Sequence, residues 1–387
     1  MTTAVAAAAA ASWSINRLNP VLYPVSLTEL LETNDPSLWK LKLYKHPTEH
    51  FDSLPNFIHA LQQNSVVTSV EVTWRFLRNL TDHQRVWVLE TIGSLGQLQE
   101  LSMEVVGPTN ILTAALLKCH ARNSLKSLTI GKLRFSSNQD VQDLALALRG
   151  CLSLKLISLS SLQVMVQGNH VMDADGMVWF QETTNNITGN GGANDEEGAK
   201  LVLDPLLEAM AALPRLHHIR LEHYLSESKR IQSPKEESLR SLCRAPRKAL
   251  IFNSCGLSDQ QCLAMAHELK ENQIQCKGLS ILVVTRNLQI SSHGWDAFVD
   301  MLEHNYSILD FHQGEEGQSN APSTEQIAKI EYFTKLNNAG RRRLLRGDDG
   351  GGSSCSRREA WMDFLVRGRD DIDLLFFALQ TNPSLCL

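Results

Sequence analysis

The sequence predicts an α/β solenoid: a curved horseshoe with parallel strands inside, helices outside and a helical C-terminal cap. Three observations carry this expectation. A short apolar-polar-apolar pattern returns nine times, centred on Leu41, Val70, Leu101, Leu128, Ile157, Ile219, Leu250, Leu282 and Leu309. Successive centres differ by 29, 31, 27, 29, 62, 31, 32 and 27, so a single gap departs from a period near thirty, and it spans two periods. Within the clearest units the apolar spacing changes from two to the helical period. A unit this short cannot bury its own apolar face, so stacked neighbours must build one continuous core.

The eighth copy reads Leu279-x-x-Leu282-x-Val284-x-x-Asn287-x-x-Ile290. Its period-two spacing predicts a short strand with one side turned inward. Asn287 then falls where an amide side chain can bond backbone groups that a tight turn leaves unpaired, and Cys255 holds the equivalent place after Leu250-x-Phe252. A helix follows each strand. Cys262, Leu263, Ala266 and Leu269 fall on one helical face before Asn272, and Ala297, Phe298, Met301 and Leu302 repeat that face before Asn305. Strands joined through helices run parallel, and helices are wider than strands, so the stack curves with its strands inside.

The stretch Leu250 to Asn272, LIFNSCGLSDQQCLAMAHELKEN, resembles the ribonuclease-inhibitor type of leucine-rich repeat, whose pattern runs L-x-L-x-x-C/N-G-L-x-x-x-G-x-x-x-L-x-x-x-L-x-x-N. The resemblance covers residues 38–311. It is strong from Leu250 to Phe311, moderate from Leu98 to Leu162 and weak in the first two copies, where Trp39 and the run Val66 to Val72 depart from leucine. Gln260 and Gln261 stand where the family often has glycine, which sets the local turn apart. The segment TKLNNAGRRRLL and the ending NPSLCL are similar to tails of other leucine-rich-repeat proteins. The resemblance implies a leucine-rich-repeat horseshoe and no particular activity.

Bulk properties exclude several classes of function. Thirty-seven basic against forty-two acidic residues leave a net charge of −5, which gives no electrostatic case for a nucleic-acid binder. The eight cysteines contain no CxxC and no paired metal spacing, so reduced structural thiols are expected. The sequons at Asn79 and Asn186 would matter only in a secreted protein. The run MTTAVAAAAAASW lacks a basic n-region, and no stretch of about 18 strongly apolar residues follows, so neither a signal peptide nor a membrane span is expected. A cytoplasmic location is expected, with a nuclear one as the alternative.

The domain reading follows the period. Residues 1–20 read as a disordered alanine-rich leader, 21–311 as the solenoid, 312–323 as a linker and 324–387 as a helical cap with a flexible Gly/Ser segment at 347–356. The period fails at 163–199, a segment rich in Asn, Gly, Asp and Glu. Two readings stay open there: a disordered insertion on the rim, or a degenerate repeat or binding loop anchored by Trp179. The run Asp173 to Gly176 lacks the later ligands of a calcium loop. Capping-box spacing from Ser323 to Gln326 starts a helix with Ile327, Ile330, Phe333 and Leu336 on one side. Arg341, Arg342, Arg343 and Arg346 read as a solvated cationic helix end, with a nuclear-localisation signal as the alternative. Residues Ile372 to Leu379 are expected to cover the open end of the last repeat.

Signatures of catalysis are missing: GxSxG, GxxxxGK[ST] and HExxH do not occur. His217, His218 and His223 share a strand and its turn, but alternation sends 217 and 218 to different sides, which argues against zinc. No cofactor is expected. The remaining candidate is the concave face, formed by polar positions between the apolar strand residues. It comprises Lys42 and Tyr44; Glu71, Thr73 and Trp74; Ser102 and Glu104; Thr129 and Lys132; Ser158 and Ser160; Arg220, Glu222 and His223; Asn253; Arg286; Asp310 and His312. Aromatic and arginine side chains are common interface anchors, so Tyr44, Trp74, Arg220 and Arg286 lead the candidates. The expected function is a non-enzymatic protein-protein interaction scaffold with a protein partner and no membrane. The alternative is a regulatory subunit, either a ubiquitin-ligase substrate receptor or a GTPase-activating leucine-rich-repeat protein.

Overall fold

The computed structural model describes residues 26–44, 53–108, 124–135, 137–164, 170–172, 178–180, 201–223, 232–271, 278–313, 321–341, 344, 354–369 and 371–381. Strands and helices alternate along the chain. In order they are α1 (Leu27–Glu32), β1 (Lys40–Leu43), α2 (Leu54–Gln63), β2 (Ser69–Val72), α3 (Trp74–Leu77), α4 (Asp82–Ser94), β3 (Glu100–Pro108), β4 (Ser127–Phe135), α5 (Asn138–Arg149) and β5 (Leu156–Val164). Next come β6 (His170–Met172), β7 (Val178–Phe180), α6 (Asp204–Ala211), β8 (His218–His223), α7 (Glu236–Arg244), β9 (Ala249–Asn253), α8 (Asp259–Glu271), β10 (Ile281–Val283), α9 (Ser292–His304) and β11 (Asp310–His312). Helices α10 (Thr324–Ala339), α11 (Ser354–Gly368) and α12 (Ile372–Thr381) follow.

Nine of these strands form one open parallel sheet in the order β1-β2-β3-β4-β5-β8-β9-β10-β11. The register places the repeat centres side by side: Leu41, Val70, Leu101, Leu128, Ile157, Ile219, Leu250 and Leu282 pair in turn. The ninth place belongs to Phe311, which pairs with Leu282, while Leu309 is 39% exposed. The expected centre at Leu309 is therefore two residues early. Both residues are apolar at period two, and only backbone pairing separates them. Just before the strands runs a second ladder. The carbonyls of Trp39, Thr68, Gln99, Lys126, Lys155, His217, Lys248 and Ser280 each accept two successive N–H groups from the next repeat, at 2.7–3.1 Å. Each repeat is thus locked to its neighbour before its strand begins.

Packing puts the helices in a second layer. Successive helices contact one another from α5 through α10, and one apolar cluster runs from Leu27 to Ile330 between helices and sheet. This is the continuous core that single repeats could not supply, and the molecule is a curved α/β repeat solenoid. The double gap holds no repeat in the sheet, because β5 pairs directly with β8, Ile157 opposite Ile219. The degenerate-repeat reading of the insertion is thereby corrected. Gln163 and Val164, expected in the insertion, still belong to β5, opposite Arg134 and Phe135, and its other described residues form a separate antiparallel pair, β6 with β7, Val171 opposite Trp179. Residues 173–176 of the rejected calcium loop and the leader at 1–20 lie outside the described residues.

Buried polar side chains close the helix ends. Asn64 Nδ2 donates to Leu31 O at 2.9 Å while its Oδ1 accepts from the Val66 and Val67 amides. Asn305 does the same with Leu269 O, Ser307 N and Ile308 N. Between them Arg247, 1% exposed, donates to the carbonyls of Met210, Ala211, Leu213 and Leu216. Its guanidinium satisfies the final turn of α6 and the turn beyond, carbonyls that a helix cannot pair by itself. Burial pulls Arg247 down to about 10, and it is held by carbonyl dipoles rather than by a carboxylate.

Helix α10 begins with the expected capping box between Ser323 and Gln326 and ends at Gly340, φ 103°. Trp361, Phe364, Leu374 and Ala378 of α11 and α12 pack on Leu336 and Ala339 to complete the cap. Arg341 departs from the expected solvated cluster. It is 6% exposed, lies 4.6 Å from the Tyr306 ring and 5.2 Å from the Phe333 ring, and donates to the Glu303 carbonyl. The first residue of the arginine run is structural; Arg342, Arg343 and Arg346 lie outside the described residues. Ser354–Ser356, expected in the flexible segment, already belong to α11. Leu263, expected on the inner face of its helix, is 39% exposed, whereas Cys262, Ala266 and Leu269 are buried.

Candidate functional site

Strand alternation turns every second side chain away from the core, and the parallel register stacks these outward residues in rows. One row reads Lys42, Glu71, Ser102, Thr129, Ser158, Arg220, Ile251, Val283 and His312. A neighbouring row carries Lys40, Ser69, Glu100, Ser127, Leu156, His218, Ala249, Ile281 and Asp310. These two rows are the concave face.

At its start Glu71 is a hub. Its Oε1 accepts from the Tyr44 hydroxyl at 2.7 Å, and its Oε2 lies 3.3 Å from Lys42 Nζ and 3.9 Å from Lys40 Nζ. Lys42 also sits 5.4 Å from the Tyr44 ring centre. The Tyr44 hydroxyl and the Glu71 carboxylate hold Lys42 above its usual pKa, and partial burial raises Tyr44. Beside this hub lies a shallow depression of about 140 Å³, lined by Lys40, Glu71, Glu100, Ser102 and Thr129 among others. The middle of the face is small: Gly131 lies beside Ser160, and Ser158 beside Thr129. Glu104 is exposed at the edge of this region, opposite Gly131.

The second half begins with another paired group. Arg220 Nη2 donates to Glu222 Oε2 at 2.8 Å, and Asn253 Nδ2 donates to Glu222 Oε1 at 3.1 Å. At the far end Asp310 and His312, both exposed, approach to 3.0 Å. Between these polar groups stand Ile251, Ile281 and Val283, outward-facing and only half-buried. Sequence reasoning missed them because it sought polar positions between apolar ones. The available signal was the unbroken apolar run in Leu250-Ile251-Phe252 and Ile281-Leu282-Val283, which a strand with one buried face does not require.

Two leading candidates stand elsewhere. Trp74 is not on the strand face: it opens α3, packs half-buried against the core and carries the Arg85 guanidinium 5.3 Å from its ring centre. Strand β2 ends at Val72, so the alternation that assigned Trp74 an outward place no longer applies. Arg286 lies exposed in the turn beyond β10 with φ 57°, and Ser254, buried, takes the same left-handed conformation one repeat earlier, φ 56°. Asn287 holds both turns: its Oδ1 accepts from Cys255 N and Leu257 N, and its Nδ2 donates to the carbonyls of Phe252, Val284 and Thr285. His223 ends β8, pairing with Leu162.

Other chemistry is accounted for by structure. Burial pushes the thiols of Cys255 and Cys262 far up, and Cys151 and Cys243 are also buried. Such thiols are poor nucleophiles. Gln260 and Gln261 are held by hydrogen bonds. Gln261 accepts from the Ser258 amide at 3.1 Å and donates to Pro234 O, while Gln260 donates to Glu236. Asp300, Glu303 and His304 approach one another on α9, and Lys270 donates to both Asp300 oxygens at 2.9 and 2.8 Å.

No protein-family model matches the chain, and no curated protein matches it. Among solved structures, the chain is similar to leiomodin-1 actin-binding site 2, at 17% identity and a TM-score of 0.26, over 36% of this chain and 78% of that one. It is also similar to a structure of the Rad7 and Elc1 complex in yeast, at 10% identity and a TM-score of 0.26, over 80% of this chain and 88% of that one.

Proposed function

We propose that this chain is a non-enzymatic protein-interaction scaffold, built from ribonuclease-inhibitor-type leucine-rich repeats, that binds a protein partner through its concave strand face. The observation that supports it is the half-buried patch of Ile251, Ile281 and Val283, set between the Arg220–Glu222–Asn253 group and the Asp310–His312 pair. Outward aliphatic side chains with a polar border have the composition of an interface core and rim. Arg220, Glu222 and Asp310 supply that border in this reading, His223 ends the same strand as Arg220, and Tyr44, Glu71 and Glu104 extend the polar face over β1 to β3. Arg286 contributes from the adjoining edge, and Trp74 acts through the packing of α3 rather than by touching a partner.

The test is quantitative capture from native lysate, comparing the intact chain with an Ile251→Asp/Val283→Asp variant and with a Leu146→Asp variant on the helix layer. A partner retained by the intact chain and by Leu146→Asp, and lost with the double variant, is the expected result. A partner retained by the double variant and lost with Leu146→Asp would move the site to the outer helices.

A further inference from the structure

The N-terminal rim of the sheet, where the carbonyl ladder runs, carries a different surface from the concave face. Lys126, Lys155, His217 and Lys248 occupy consecutive rungs of that ladder. Parallel strands lie about 4.8 Å apart, so this line is about 14 Å long. A depression of about 330 Å³ opens beside it, lined by the cations Lys126, Lys155 and Arg215, the amides Gln97 and Gln99, and the hydroxyls Ser124 and Ser153. Among the described residues no carboxylate lines it.

The amides and one hydroxyl are already in use. Gln97 Nε2 donates to Asn64 O, Ser124 Oγ donates to Leu98 O, and Gln99 Oε1 accepts from Lys126 Nζ at 2.8 Å. The cations are not neutralised. Lys126, Lys155, Arg215 and Lys248 are all exposed, and among the described residues none of them has an ion-pair partner. Several cations elsewhere are paired: Lys42, Arg220, Arg244, Lys270 and Lys329 each face a carboxylate. Partial burial, and secondarily the neighbouring Lys248, holds the His218 imidazole below its usual pKa.

We infer that this rim is a docking site for an acidic, extended segment of a protein partner. Lysines on three of the four rungs, with Arg215 beside them, suit carboxylates spread along an extended segment that crosses the strand ends. A single-stranded nucleic acid would want aromatic platforms between the cations, and none lines the depression.

The test is a fluorescence-anisotropy titration of the full chain with a labelled oligoglutamate peptide, at about 0.02 M and about 0.2 M salt, where screening lengths differ severalfold. The Lys126→Glu/Lys155→Glu variant is compared with Lys329→Glu/Lys335→Glu, which changes net charge equally on α10. The expected result is binding at low salt that weakens at least about tenfold in the rim variant, and much less in the control. Far-UV circular dichroism checks both folds, and Lys126→Gln/Lys155→Gln replaces the first variant if it misfolds. Equal weakening in the two variants, absence of peptide binding at low salt, or tighter binding of an oligothymidylate of the same length would each overturn the inference.

Discussion

The two halves of the concave face share one sheet and one register, yet they differ in what a partner would have to strip of water. From β1 to β5 the outward groups are lysines, glutamates and hydroxyls, with Leu156 the apolar exception, tied to one another through Glu71 and through Ser69, which donates to Glu100 at 3.0 Å. From β8 to β11 the charges are confined to the borders, and Ile251, Ile281 and Val283 fill the space between. Covering apolar area yields roughly 25 cal/mol per Å², whereas covering a polar group costs free energy unless its hydrogen bonds are replaced. The comparison teaches that one sheet can hold a half-buried apolar patch in one half and a self-neutralised polar surface in the other.

The most disruptive way to break the comparison is at the join. Arg247 closes four carbonyls beneath the boundary between β8 and β9. Arg247→Ala should cost about 3–5 kcal/mol in urea denaturation, because it leaves buried acceptors unpaired, and Arg247→Lys should recover little of it. In a nearest-neighbour array a weakened join also splits the transition, so two steps are expected where the parent shows one. Asn287→Ala should cost about 2–3 kcal/mol and confine its damage to the second half. Hydrogen exchange should then speed at β9 and β10 and stay unchanged at β1 and β2.

Gly294→Ala sharpens the contrast further. An added Cβ would lie 2.5 Å from Asp259 Oδ1 and 2.8 Å from Ile290 Cγ2, displacing the Asp259 carboxylate that accepts from the Ser291 amide at 2.7 Å. A loss of about 1–3 kcal/mol is expected by thermal unfolding. The smallest effect concerns the thiols. Cys255 and Cys262 hold their protons in the folded state far above the usual thiol pKa near 8.5. The unfolded chain alone releases them in that range, so stability should fall as pH rises past about 8.5. Native-state alkylation at those residues should lag well behind that of the unfolded chain.

The repeat centres from Leu41 to Leu282 and the capping box at Ser323 were legible in the sequence because each rests on local spacing that packing did not override. The turn role of Asn287 was legible for the same reason, since its side chain bonds backbone two and three residues away as well as across the repeat. Phe311 was displaced by Leu309 because register is a property of two strands, not one. Arg247 and Arg341 were illegible for a different reason: a buried guanidinium is retained by carbonyls 31–39 residues distant, and no local pattern announces them. The concave patch escaped because Ile251 and Val283 look like core in a strand until the register shows which way they point.

Hydroxyl-radical footprinting with the captured partner, read at single residues by mass spectrometry, tests the concave-face account most directly. Binding should suppress oxidation at Ile251, Ile281 and Val283 and leave Leu146 and Leu263 on the helix layer, 61% and 39% exposed, unchanged. Suppression at Leu146 and Leu263 with Ile251, Ile281 and Val283 unaffected would contradict it.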